Sequence, residues 1–187
     1  GMFIRWAHDW ERKPYNSWGN GAAMRVSPVA YWAQNENQVL ELAKNTAEVT
    51  HNHQEGIKGA QATALAIWLS INGATAVEIR SEIEERFGYD LSKTVEDIRP
   101  DYRFDVSAAG SIPQAITCAL EATDYEDAIR NAVSIGGDSD TIACVAGSIA
   151  EPMFGLPDDI ASIARGYLND EFLGIMNQFE NATGVQI

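Results

Sequence analysis

The chain has 187 residues, enough for one domain with a substantial core and short for two. Apolar residues make up 45%, which excludes a disordered chain, and 27 acidic against 13 basic residues leave a net charge of −14. That field repels a nucleic-acid backbone and an anionic membrane. A phosphate-bearing ligand would therefore need a local device, helix N-termini or bound cations, to offset it.

Arg5, His8, Asp9, Glu11, Arg12 and Lys13 interrupt the start, so no signal-peptide apolar stretch precedes Pro14, and no later stretch is apolar enough to span a bilayer. A cytoplasmic location is expected. Gly1 before Met2 reads as a remnant of tag removal, which leaves 2–187 as a single domain. From Asn37 to Thr50, Val39, Leu42, Ala43 and Ala47 recur on one helical face. The run from Ile57 to Ile71 is apolar almost all round and rich in alanine, as in a buried helix that its neighbours approach closely. A third helix is predicted from Thr75 to Phe87, with Val77, Ile79, Ile83 and Phe87 between charges and Gly88 as its stop. Residues 88–110 read as an ordered connection with one short helix at most. Helical segments follow at Pro113 to Ala122, Tyr125 to Ile135, Thr141 to Met153, Pro157 to Leu168 and Glu171 to Phe179. No alternating strand pattern and no G-x-G-x-x-G stretch occur, so the expected class is all-α. Cys118 and Cys144 lie in apolar helical segments without C-x-x-C spacing and read as buried reduced thiols.

Three stretches are dense in chemistry. In GGDSDT, residues 136–141, two carboxylates and a hydroxyl (Asp138, Asp140, Thr141) fall within four positions ahead of a helix. Asp138 and Thr141 share a face once the helix begins. Acidic residues there are good helix caps, and they are equally the hard oxygen donors that Mg²⁺ prefers. In PYNSWGNGAAMRVSP, residues 14–28, Gly19, Asn20 and Gly21 form either a plain turn or a loop whose N–H groups and Asn20 amide point at a ligand. Trp18 reads as core, or as a ring that stacks on a ligand. In THNHQEG, residues 50–56, His51 and His53 are two apart, which suits one side of a strand and not of a helix, so joint zinc ligation is not expected. A histidine there is structural, or it donates to a ligand hydroxyl or phosphate.

In this order, SWGNGAAMRVSPV, THNHQEGIKGAQATALAIW, GSIPQAITCAL and SIGGDSDTIACVAGSIAE resemble the ADP-ribosylglycohydrolase family, which includes the dinitrogenase reductase-activating glycohydrolases and the J-crystallin relatives. The similarity runs from about Trp6 to the region of Phe172. It implies an all-α orthogonal multi-helix bundle, N-terminally truncated here, with a binuclear Mg²⁺ centre (Mn²⁺ in some members). It also implies cleavage of the glycosidic bond between ADP-ribose and an acceptor such as an arginine or serine side chain. Carried over by motif, Asp138, Asp140 and Thr141 match the C-terminal metal ligands, with the two aspartates catalytic. Ser17, Gly19, Asn20 and Gly21 match the loop that holds ADP-ribose, and His51 matches the histidine that approaches it.

The family's earlier G-D-x-x-G and Thr-Asp-Asp stretches do not precede the loop. Thr123-Asp124 is followed by Tyr125, and Pro157-Asp158-Asp159 lacks the threonine and follows GGDSDT. The expectation is therefore half of a metal-ligand set, completed by a homodimer partner or a complementing N-terminal chain that also covers exposed apolar faces. The alternative is a non-catalytic ADP-ribose-binding or structural module on the same scaffold.

Overall fold

A computed structural model describes residues 2–185; Gly1, read above as a tag remnant, and residues 186–187 lie outside the described residues. In chain order the helices are α1 (Met2–His8), α2 (Gly21–Met24), α3 (Ser27–Trp32), α4 (Glu36–Glu48), α5 (Gln54–Ile71) and α6 (Ala76–Phe87). They continue as α7 (Val95–Ile98), α8 (Ala108–Leu120), α9 (Tyr125–Ser134), α10 (Ser139–Phe154), α11 (Asp158–Arg165) and α12 (Asp170–Thr183). The all-α expectation holds among the described residues, whose one extended pairing is a bridge between Gly19 and Ser107. None of their helices is long and apolar enough to cross a membrane.

The alanine-rich run builds the centre. On α5, Leu65 and Ile67 are fully buried, and α5 packs on α8 and α10. Small residues set the spacing: a Cβ on Gly59 would lie 2.8 Å from Ala108 Cβ on α8. Ile112 and Ile116 of α8 and Ile142, Val145 and Ile149 of α10 complete the same core. Truncating a buried side chain such as Leu65 to alanine costs about 2–5 kcal/mol. Helix α6 starts at a reciprocal cap between Thr75 and Glu78 and stops at Gly88, whose φ is +61°.

Two expectations are corrected, on α8 and Cys144, and two features of α6 and the N-terminus are added. Helix α8 begins at Ala108 rather than Pro113: the Ser107 side chain accepts from Gly110 N at 2.9 Å, and Pro113 sits inside the helix. Val77 is 76% exposed, because α6 turns only Ile79 and Ile83 fully inward. Cys118 is buried as expected, but Cys144 is exposed on α10. The first helix, α1, was not expected; none of its residues is buried, and Met2, Phe3 and Ile4 are exposed.

Candidate functional site

The chain brings four distant segments to one place. The loop ahead of α2 is tied to the segment ahead of α8 on both sides of Gly19: Asn20 N donates to Val106 O at 2.9 Å, and Ala108 N donates to Trp18 O at 3.0 Å. Ser17 N donates to Thr50 O at 3.3 Å, and Asn16 N donates to Asn52 Oδ1 at 2.7 Å, which ties the loop to the turn between α4 and α5. Gly56 makes room for that seam, since a Cβ there would lie 2.8 Å from Ser17 O and 3.0 Å from His51 Cβ.

Asn20 joins the loop to the GGDSDT turn. Its Nδ2 donates to Asp138 Oδ2 at 2.6 Å and to Ser111 Oγ at 3.0 Å, using both amide hydrogens. Ser111 Oγ in turn donates to Asp105 O at 2.8 Å, so a chain of hydrogen bonds runs from α8 through the loop to α10. These bonds show what the Asp138 side chain does in place of capping. The residue occupies the N-cap position of α10, yet its side chain makes no capping bond; its carboxylate turns to Asn20. Asp140 is exposed and accepts from Thr141 N at 2.9 Å through Oδ1. Thr141 is buried, and its hydroxyl donates to Met24 Sδ at 3.2 Å. Among the described residues no group of three or more His, Cys, Asp or Glu side chains is placed to hold a metal ion.

Two readings of the loop change. Gly19 N donates to Ser17 Oγ at 3.3 Å and Asn20 N to Val106 O, so these N–H groups and the Asn20 amide hold the loop rather than point at a ligand. Trp18 is 50% exposed beside the loop and is not core. The histidines divide their work. His53 caps α5, its Nδ1 accepting from Glu55 N at 3.1 Å. His51 is buried with Nε2 against the loop: Cβ atoms on Gly21 and Gly19 would stand 3.4 and 3.7 Å from it. Burial first, and the Arg25 charge second, pushes its pKa down to about 4, so the ring is neutral at pH 7.

The structure adds three residues that the reading of single stretches missed. Ser111 lies in the GSIPQ stretch, which marked the segment without marking the residue. Asp105 accepts from Ser107 N at 2.7 Å and shapes the turn into α8. Tyr102 packs its ring on Gly137, where a Cβ would fall 2.3 Å from Tyr102 Cε1. Asp105 and Asp138 lie close enough to the Tyr102 phenol to raise its pKa, after burial as the leading cause. Its hydroxyl is buried without a hydrogen bond of good geometry among the described residues.

The chain is 29% identical to ADP-ribosylhydrolase ARH3 of Danio rerio over 75% of its length and 50% of that protein. It is 26% identical to ARH3 of Homo sapiens over 84% of its length and 56% of that protein. With ADP-ribosylarginine hydrolase Tri1 of Pseudomonas putida it shares 24% identity over 74% of its length and 39% of that protein. The chain thus spans about half the length of the curated relatives it matches. A solved structure, an ADP-ribosylglycohydrolase-related protein complex, shares the fold with a TM-score of 0.67 at 24% identity, covering 96% of this chain and 64% of that one. The sequence profile of ADP-ribosylglycohydrolases matches residues 1–171, which include the whole four-segment cluster and its supporting core, and the chain belongs to the ADP-ribosylglycohydrolase family.

Proposed function

We propose that the chain binds ADP-ribose between the Gly19–Gly21 loop and the Asp138–Thr141 turn, and that this site hydrolyses the glycosidic bond joining ADP-ribose to an acceptor. The observation that carries the reading is the 2.6 Å bond from Asn20 to Asp138, which makes one site of two stretches 118 positions apart. In this reading Ser17, Gly19, Asn20, Gly21 and His51 surround the ADP-ribose, and the two aspartates face the ribose. A carboxylate beside the anomeric carbon favours the positive charge of an oxocarbenium-like transition state, and either aspartate can take the proton of an attacking water.

The donor set has the chemistry of Mg²⁺ ligation. Asp138 Oδ1 and Asp140 Oδ2 make no hydrogen bond among the described residues, and the Thr141 oxygen keeps its lone pairs while its proton goes to Met24. Asp138, Asp140 and Thr141 would hold the ion, which when bound supplies a Lewis acid that orients the ribose hydroxyls. An octahedral shell needs further oxygens. We place them on water and on a second polypeptide segment, either another copy or a complementing chain.

Incubation with ADP-ribosyl-arginine and Mg²⁺ tests the activity by release of free ADP-ribose. Release that Asp138→Ala abolishes supports hydrolysis. Tight ADP-ribose binding with no release, with or without added Mg²⁺, favours instead the non-catalytic module.

A further inference from the structure

Resting on the ADP-ribose reading of this site, we propose that Arg25 and Thr50 are positioning residues that fix His51 as a neutral imidazole, with Nδ1 as acceptor and the Nε2–H aimed at a ligand oxygen over the Gly19–Gly21 loop. Hydrogen-bond supply fixes the ring. Thr50 is buried, with 1% of its surface exposed. Its Oγ1 accepts from Arg25 Nη2 at 2.9 Å and lies 2.7 Å from His51 Nδ1. Arg25 is itself held at the end of α4, where Nη2 also donates to Thr46 O at 3.1 Å. A guanidinium only donates, so the Thr50 hydroxyl proton must find another acceptor. Among the described residues it has one, His51 Nδ1. A proton on Nδ1 would leave that hydroxyl proton buried and unpaired.

Nδ1 is therefore bare and the ring proton sits on Nε2. Nε2 has no hydrogen-bond partner among the described residues and lies where Gly19 and Gly21 lack side chains. Its natural partner is an anionic oxygen, such as the diphosphate of ADP-ribose. The Arg25 charge opposes a second proton on the ring, and the Tyr15 phenol also faces it, with ring centroids 6.3 Å apart. The ring thus offers one directional donor and no positive charge of its own.

Long-range ¹H–¹⁵N NMR of the ¹⁵N-histidine-labelled chain reads the tautomer directly, alongside calorimetric titration with ADP-ribose. The wild-type ring at pH 7 should show a protonated Nε2 and a hydrogen-bonded, unprotonated Nδ1. Thr50→Val and Arg25→Met should each release Nδ1, raise the protonation midpoint of His51 by about one pH unit and weaken ADP-ribose about tenfold. Thr50→Ser should restore all three. A wild-type Nδ1–H, or variants that leave the Nδ1 resonance and the affinity unchanged, would overturn the assignment. If the wild-type tautomer is as stated but ADP-ribose does not bind, the positioning stands and the ligand reading fails.

Discussion

Replacing Asn20 by Asp keeps the shape of the side chain and inverts its role. Both amide hydrogens disappear, so Asp138 loses a charge-assisted bond worth about 1.5–3 kcal/mol and Ser111 a neutral one worth about 1 kcal/mol. Two carboxylates then meet across the former 2.6 Å contact, where Coulomb repulsion at an effective dielectric of about 20 is about 6 kcal/mol before relaxation. Relaxation and solvation absorb part of this, and the expected net loss is about 3–5 kcal/mol, a large share of the roughly 5–15 kcal/mol that holds a domain folded. Urea unfolding at pH 7.5 measures it. The sharper assay is the exchange Asn20→Asp with Asp138→Asn, which restores an amide-to-carboxylate bond with its direction reversed. That double variant should recover about 2 kcal/mol over Asn20→Asp alone. A coupling energy within about 0.5 kcal/mol of zero would refute the view that these two side chains hold the loop to the turn.

Further outcomes follow from the same geometry. Gly136 and Gly137 both have positive φ, +74° and +71°, but a Cβ meets nothing within 4 Å at the first and the Tyr102 ring at the second. Gly136→Ala should cost about 1–2 kcal/mol and Gly137→Ala about 2–5 kcal/mol by thermal or urea unfolding. His51 titrates near pH 4 when folded against about 6.5 when unfolded, so the unfolded chain takes the proton first as pH falls. Stability should be flat above pH 7 on this account and fall by about 3 kcal/mol in total between pH 6.5 and 4, and His51→Gln should remove that limb from unfolding curves. Burial raises both thiols, Cys118 to about 12, but only Cys144 is exposed, so a thiol reagent should label one cysteine in the native chain and two in urea.

The sequence disclosed the fold where one helical face carries the signal. The stripe of α4, the alanine run of α5 and the Gly88 stop of α6 are local patterns, and the structure keeps them. It misled where two local signals competed. Pro113 looked like a first-turn proline, but the Ser107 cap starts α8 five residues earlier, and nothing in the sequence ranks the two. The site was legible by motif and obscure in its wiring. Asp138 stands where a cap and a metal ligand look alike, and only the distant Asn20 amide shows that its carboxylate does not cap. Tyr102 owes its place to Gly137, and Arg25 to Thr46 and Thr50, partnerships made by packing across 20 or more positions. Trp18 has core chemistry but sits on a loop that its own backbone bonds hold at the surface.

We infer that the Gly19–Gly21 loop and the Asp138–Thr141 turn form one site for ADP-ribose and a divalent cation. Calorimetric titration with ADP-ribose, with and without Mg²⁺, tests it most directly when wild type and Asp138→Ala are compared. Mg²⁺ should strengthen binding to wild type, and Asp138→Ala should remove this gain while weaker, magnesium-independent binding persists. Wild-type binding that is indifferent to Mg²⁺, or a magnesium gain that survives in Asp138→Ala, would contradict it.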